Sequence, residues 1–319
     1  MSSLQPVSAW PGWFHSPGTP PIDGVWRRAW RRVWRRRVFR AGAWLGLTAL
    51  LLTTAACSLR KVAYGMANRL IVSRLSDTFH LNESQRQGLS GKVGTLHAWH
   101  RQEELPRYVA LIDAFLPKLE NGLERPELEW LMREGNAAVE RLAQRSAPEI
   151  AVVLDGLSPQ QVSQSATEMK KAEKERFEKL EMSEEDYVRH RMKAGRKNLS
   201  TWLGTYTPQQ LAEYEKFVRK NRQEEQRRRR RTQQNQQALL DALRAHRGVP
   251  ALSHILSRWM TRQEVEETPE FQAAEQRSNG EYIEFLLTLD RSLSPAQRTH
   301  LMNELRAWRR DFDELARNR

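Results

Sequence analysis

The stretch Leu157-Ser158-Pro159-Gln160-Gln161 decides the fold. Its residue types are those of a helix start. Ser158 is a good N-cap, because its hydroxyl can accept one of the orphan N–H groups of the first turn. Pro159 falls at the first helical position, where a missing N–H costs nothing. Gln161, three residues after the cap, can reach back to the cap's own N–H and close a capping box. Leu157 stands where a hydrophobic staple would sit. The same pattern returns as Tyr206-Thr207-Pro208-Gln209-Gln210 and Leu293-Ser294-Pro295-Ala296-Gln297, and without proline as Leu81-Asn82-Glu83-Ser84-Gln85. Helices are therefore predicted to begin near residues 82, 158, 207 and 294. The steps between the patterns are 76, 49 and 87 residues, too uneven for a solenoid repeat.

Outward from these starts the apolar spacing is helical almost everywhere. Leu59, Val62, Met66, Leu70, Leu75 and Phe79 mark one face of a first helix. Tyr282, Phe285, Leu286, Leu289 and Leu293 mark a late one, and Leu301, Leu305, Trp308, Phe312 and Leu315 form a coiled-coil-like seam after it. Thr268-Pro269-Glu270 predicts another start, and Pro106, Pro126 and Pro148 are expected to mark further starts or breaks. No alternating run long enough for a sheet occurs. Leu, Ala, Glu, Arg and Gln dominate the composition, as helices favour. The expected fold is all-α, an elongated multi-helix bundle after an N-terminal signal segment.

The N-terminal third of that reading is about location. Eight arginines between Arg27 and Arg40 precede a nearly charge-free run, Ala41 to Ala56, which ends Thr54-Ala55-Ala56-Cys57. A cationic region, a short apolar core and small residues before the cut describe a secretory signal peptide. The apolar run is about 16 residues, short of the roughly 20 that a spanning helix needs. Cys57 is the only cysteine, so no internal disulfide can form. Residues 1–24, rich in Pro, Gly and Trp, carry no folded-element signal. They are read as a disordered extension, or as sequence upstream of a true start near Val25 or Val33. Arg36-Arg37 looks like part of a twin-arginine signal, but chance pairs are expected in so basic a leader. The expected organisation is 1–24 extension, 25–56 signal peptide and 57–319 helical domain.

The cut before a lone cysteine resembles a bacterial lipobox, with Thr54 where that pattern usually has leucine. The resemblance implies cleavage before Cys57 and lipidation of its sulfur, with acyl chains such as palmitate. Ser58 in the next position resembles outer-membrane sorting, and so implies an outer-membrane lipoprotein facing the periplasm. The expected localisation is thus the cell envelope, with the membrane as first partner. The whole chain is formally +13, but the leader holds eight basic residues and one acid, leaving +6 for the mature part. No nucleic-acid partner is expected, since much of the basicity lies in a segment that is removed.

The Leu-[Ser/Thr]-x-x-Gln pattern resembles the motif of Spy/CpxP-type periplasmic helical proteins, although capping chemistry alone accounts for it. A wider resemblance runs through Tyr64, Ala67 and Leu70, then Trp99-His100-Arg101-Gln102-Glu103-Glu104-Leu105-Pro106-Arg107-Tyr108, Pro126 to Leu131, Ala147-Pro148-Glu149 and Leu289 to Arg298. Together these look like an uncharacterised family of Gram-negative helical lipoproteins, a domain of unknown function. That resemblance implies the anchor and the helical body, and no activity.

Two stretches stand out as candidate surfaces. His97, His100 and Glu104 can share one helical face, but no second cluster completes a metal site and the order is not His-Glu-x-x-His. No metal and no cofactor is expected. Trp99, His100, Arg101, Glu104, Arg107 and Tyr108 are read as a surface or groove with an ion-pair network. The second stretch is Arg227, Arg228, Arg229, Arg230 and Arg231, five arginines that cannot all face one core. They are expected on an exposed, solvated segment, or docked to an anionic surface: lipopolysaccharide, peptidoglycan, lipid headgroups or an acidic envelope protein. Serine-nucleophile motifs, glycine-rich phosphate loops and Cys/His zinc patterns are absent. The expected function is a structural, binding or chaperone-like interaction protein and not an enzyme. The alternative is an envelope enzyme with a site near Trp99–Tyr108.

Overall fold

The computed structural model describes residues 45–261 and 268–317, with side chains from residue 60 onward. The expectations for residues 1–24, for the arginine-rich leader and for the Cys57 thiol lie outside the described side chains. The described residues are helical throughout, joined by short turns, and contain no strand. In order they form α1 (Leu45–Phe79), α2 (Glu83–Trp99), a π-helical turn (His100–Glu104), α3 (Leu105–Asn121), α4 (Arg125–Asp155), α5 (Pro159–Phe177) and a 3-10 turn (Glu178–Glu181). Then follow α6 (Glu184–Leu203), α7 (Pro208–Arg244), α8 (Gly248–Met260), α9 (Pro269–Arg291) and α10 (Pro295–Arg317). Among the described residues no helix is long and apolar enough to cross a membrane.

The four capping boxes form where their chemistry predicts. Asn82, Ser158 and Thr207 each accept the N–H of the glutamine three residues on, and each glutamine side chain accepts the cap's N–H. Ser294 and Gln297 do the same at 3.2 and 2.8 Å. Thr268 caps α9 through the N–H of Phe271, and Pro126 stands in the first turn of α4.

The boxes also pair with each other. Gln161 Nε2 donates to Gln85 Oε1 at 2.7 Å and to the carbonyl of His80, while Gln85 Nε2 donates to the carbonyl of Gly156. Gln297 Nε2 donates to Gln210 Oε1 at 2.9 Å and to the carbonyl of Thr205, and Gln210 Nε2 returns bonds to Gln297 Oε1 and the carbonyl of Ser292. Each capping glutamine thus ties its own helix start to the turn of a distant hairpin. The first pair joins the α1–α2 turn to the α4–α5 turn, and the second joins the α6–α7 turn to the α9–α10 turn.

One proline departs from expectation. Pro148 neither starts nor breaks a helix, but lies inside α4. Pro106 stands in the first turn of α3, as expected, while the helical path stays continuous from Glu83 to Asn121. Its missing N–H and its ring disturb the preceding turn, which widens so that Leu105 N–H reaches the carbonyl of His100.

The long helices α4 and α7 run through two packing regions. At one end α2, α5, α8 and the close of α1 surround their C-terminal halves, in a core that includes Phe79, Leu89, Leu154, Met169, Leu239 and Leu252. Ala143, Ala147 and Ala151, all fully buried, let α4 pack closely against α8. At the other end six helices close a ring: α3 packs on α10, α10 on α6, α6 on α7, α7 on α9, α9 on α4 and α4 on α3.

The first helix corrects the sequence reading. Phe79 is buried, but Val62, Met66 and Leu70 on the predicted apolar face are 53%, 44% and 55% exposed. Apolar spacing marks a face, and nothing within the described chain covers this one.

Candidate functional site

The Trp99–Tyr108 stretch folds into a network rather than an open surface. The widened turn places His100 between α1 and α3. Tyr64 OH lies 2.9 Å from His100 Nδ1, and Tyr108 OH lies 3.4 Å from His100 Nε2. Burial pushes the His100 pKa below the ordinary histidine value, against a smaller opposing pull from Glu104. A neutral ring donates through one nitrogen and accepts at the other, so the two tyrosine hydroxyls play opposite roles. Burial and the Glu104 charge push the Tyr108 hydroxyl up to about 12. His97 sits one turn earlier and its Nε2 donates to the Tyr64 carbonyl at 3.2 Å.

Glu104 is fully buried. Arg141 grips it from α4 with Nε at 2.7 Å and Nη2 at 2.9 Å, and Arg107 adds a bond of 2.6 Å. Burial alone would raise its pKa. The Arg141 bonds, with the charges of Arg141 and Arg107, outweigh that and lower it. Glu104 is therefore an ionised acceptor already saturated by three N–H donors, a poor general base. The guanidinium of Arg101 lies over the Tyr64 ring, and Trp99 meets His100 edge-on at the margin. Among the described residues no group of three or more His, Cys, Asp or Glu could hold a metal ion. Beside the network an open cleft of about 800 Å³ is lined by His97, Arg101, Gln102 and Arg317.

The structure thus brings His100, Glu104, Arg107 and Tyr108 together and adds Tyr64 and Arg141. Tyr64 carried a family resemblance but no chemical signal. Arg141 is one arginine on an amphipathic helix, and no motif marks it.

The arginine run lies elsewhere and corrects the expectation of an exposed, solvated segment. Arg227 and Arg228 pair with Glu224, at 2.7 and 3.3 Å. Arg229 reaches Glu173 on α5 at 2.6 Å, and also Glu181. Arg231 pairs with Glu275 on α9 at 2.9 Å, both side chains under a tenth exposed. Arg230 alone of the five is exposed. Successive residues turn by about 100° on a helix, so neighbouring arginines face different elements. The run ties α7 to α5 and α9.

Inside the ring of six helices lies a third feature that sequence reasoning missed, an apolar cavity of about 290 Å³. Phe217 and Phe285 stack on its wall at 4.6 Å between centroids. Its lining comes from six helices, and no local pattern announces it.

These features define an all-helical protein held by paired capping glutamines and internal ion pairs, with an apolar chamber at one end. A family model described as a family of unknown function (DUF6279) matches residues 77–272, more than half of the chain, and the chain belongs to that family. The match takes in three of the four capping boxes, the His100–Glu104 turn and the arginine run. No curated protein and no solved structure matches the chain.

Proposed function

We propose that the chain is a lipid-anchored protein of the cell envelope, in the outer membrane facing the periplasm, whose helical body acts by binding rather than by catalysis. The observation that carries this reading is the uncovered apolar face of α1. Val62, Met66, Leu70 and Ile71 are all more than two-fifths exposed, and they begin five residues after Cys57. Arg69 and Arg74 are exposed among them. An apolar stripe with basic flanks, next to an acylated cysteine, would lie against the membrane surface. A short lipobox-like leader supports the same placement. The saturated Glu104 and the shielded His100 favour a structural role for the Trp99–Tyr108 stretch.

Palmitate labelling and membrane fractionation test the anchor. Cys57→Ala should abolish labelling and move the protein out of the membrane fraction; unchanged labelling would overturn the reading. Crosslinking in intact envelope should then capture a protein or envelope-polymer partner through the helical body.

A further inference from the structure

The chamber within the six-helix ring is built differently from the rest of the interior. The helices of the ring line it with large apolar side chains, among them Phe115, Trp202, Phe217, Phe285, Leu289 and Trp308. All six are only half-buried. Well-packed interiors leave few voids larger than a water molecule, and apolar surface of this kind is ordinarily covered. At about 290 Å³ the chamber is at the lower end of the range for small-molecule pockets. That size suits one alkyl chain and excludes a two-chain lipid.

The polar groups on the wall include Asn198, Asn221, Asp290 and Arg191. Asn221 lines the cavity and is 8% exposed. Asp290 is satisfied within the chain, by Arg298 at 2.8 Å and by the N–H of Leu123 at 2.9 Å. Arg191 is not. One terminal nitrogen pairs with Glu225 at 2.9 Å, but its Nε is buried and has no hydrogen-bond partner. Arg191 is the cation among the residues that line the cavity. Arg222 and Arg191 both lie over the ring of Tyr187. A buried N–H donor on a cation, left without a partner in an apolar wall, calls for an anionic acceptor.

We infer that this cavity binds a single long-chain fatty acid, with the alkyl chain between the aromatic and leucine walls and the carboxylate accepting the unpaired Nε–H of Arg191. The inference uses the body alone and does not depend on the anchor.

Displacement of the fluorescent fatty acid cis-parinarate from the full chain tests it. Oleate should displace the probe at a stoichiometry of one. Leu289→Trp, which fills the chamber, should weaken oleate at least tenfold while helix content by circular dichroism stays unchanged. If that variant does not fold, Leu305→Phe on α10 carries the same test. Arg191→Gln should weaken oleate about tenfold and leave oleyl alcohol, the same chain without the charge, unaffected. Failure of oleate to displace the probe overturns the proposal, as do chamber-filling variants that bind normally. Equal loss of acid and alcohol in Arg191→Gln overturns the assigned carboxylate contact. An apolar dye that binds the chamber while oleate does not would also overturn it, and would point to a different apolar occupant.

Discussion

Gln210 and Gln297, 87 residues apart in sequence, exchange side-chain amide hydrogen bonds at 3.1 and 2.9 Å, and each also caps its own helix. Gln210 is 1% exposed and Gln297 5%. One side chain thus completes a capping box, bonds its counterpart and satisfies a carbonyl in the facing turn. Gln297→Ala should cost about 2 kcal/mol, because it removes both bonds to the buried Gln210 amide and leaves the Thr205 carbonyl and the Ser294 N–H without their side-chain partner. The equivalent Gln161→Ala in the half-buried first pair should cost less, since water can replace the lost partner. Urea titration of both variants measures the difference. A double-mutant cycle of Gln210 and Gln297 should show coupling above 0.5 kcal/mol; additive losses would mean that the exchange contributes nothing.

Stability should fall in two steps as the pH drops. His97 and His100 have pKa values held below the ordinary 6.5, chiefly by burial. Below that value the unfolded chain takes up protons that the folded chain refuses, so stability declines until the folded values are passed. Glu104 is held below its ordinary 4.5 by Arg141 and Arg107 against the opposing effect of burial. Its contribution is present above 4.5 and is lost as the pH falls through the folded value. His100→Gln should reduce the first step and Glu104→Gln the second. Thermal melts from pH 8 to pH 3 resolve them.

Glu275→Ala should destabilise the protein by about 3 kcal/mol, because it leaves the Arg231 charge buried without a partner. Replacing both members, Arg231→Met with Glu275→Leu, should recover most of that loss. Arg230→Gln, on the exposed member of the run, should change stability by less than about 0.5 kcal/mol. Denaturant midpoints for the three variants order them.

Gly195 is required by close approach rather than by backbone conformation. A Cβ there would come within 2.1 Å of the Tyr214 ring. Gly195→Ala should cost about 1–3 kcal/mol through overpacking between α6 and α7. Adding Tyr214→Leu should relieve much of it. Because Tyr214 lines the chamber, the single variant should also reduce the volume open to an apolar probe, which dye titration reads directly.

What the sequence determined by itself is local. Each capping box needs only four consecutive residues, so the starts at Asn82, Ser158, Thr207 and Ser294 were legible, as was the all-α class. Helical spacing likewise located the apolar faces. Pro148 was misread because proline's cost inside a helix depends on whether packing can compensate, and that is not written locally.

What only the tertiary structure decided is which partner each residue meets. Gln85 finds Gln161 and Gln210 finds Gln297 across gaps with no common period. Arg229 and Arg231 are two positions apart, yet they enter ion pairs on different helices, because an α-helix turns them to different neighbours. The apolar stripe of α1 reads like any core-facing stripe, and only the arrangement of the other helices leaves it uncovered. The chamber is furthest from the sequence: it is the space that six helices fail to fill, and a void has no residues of its own to announce it.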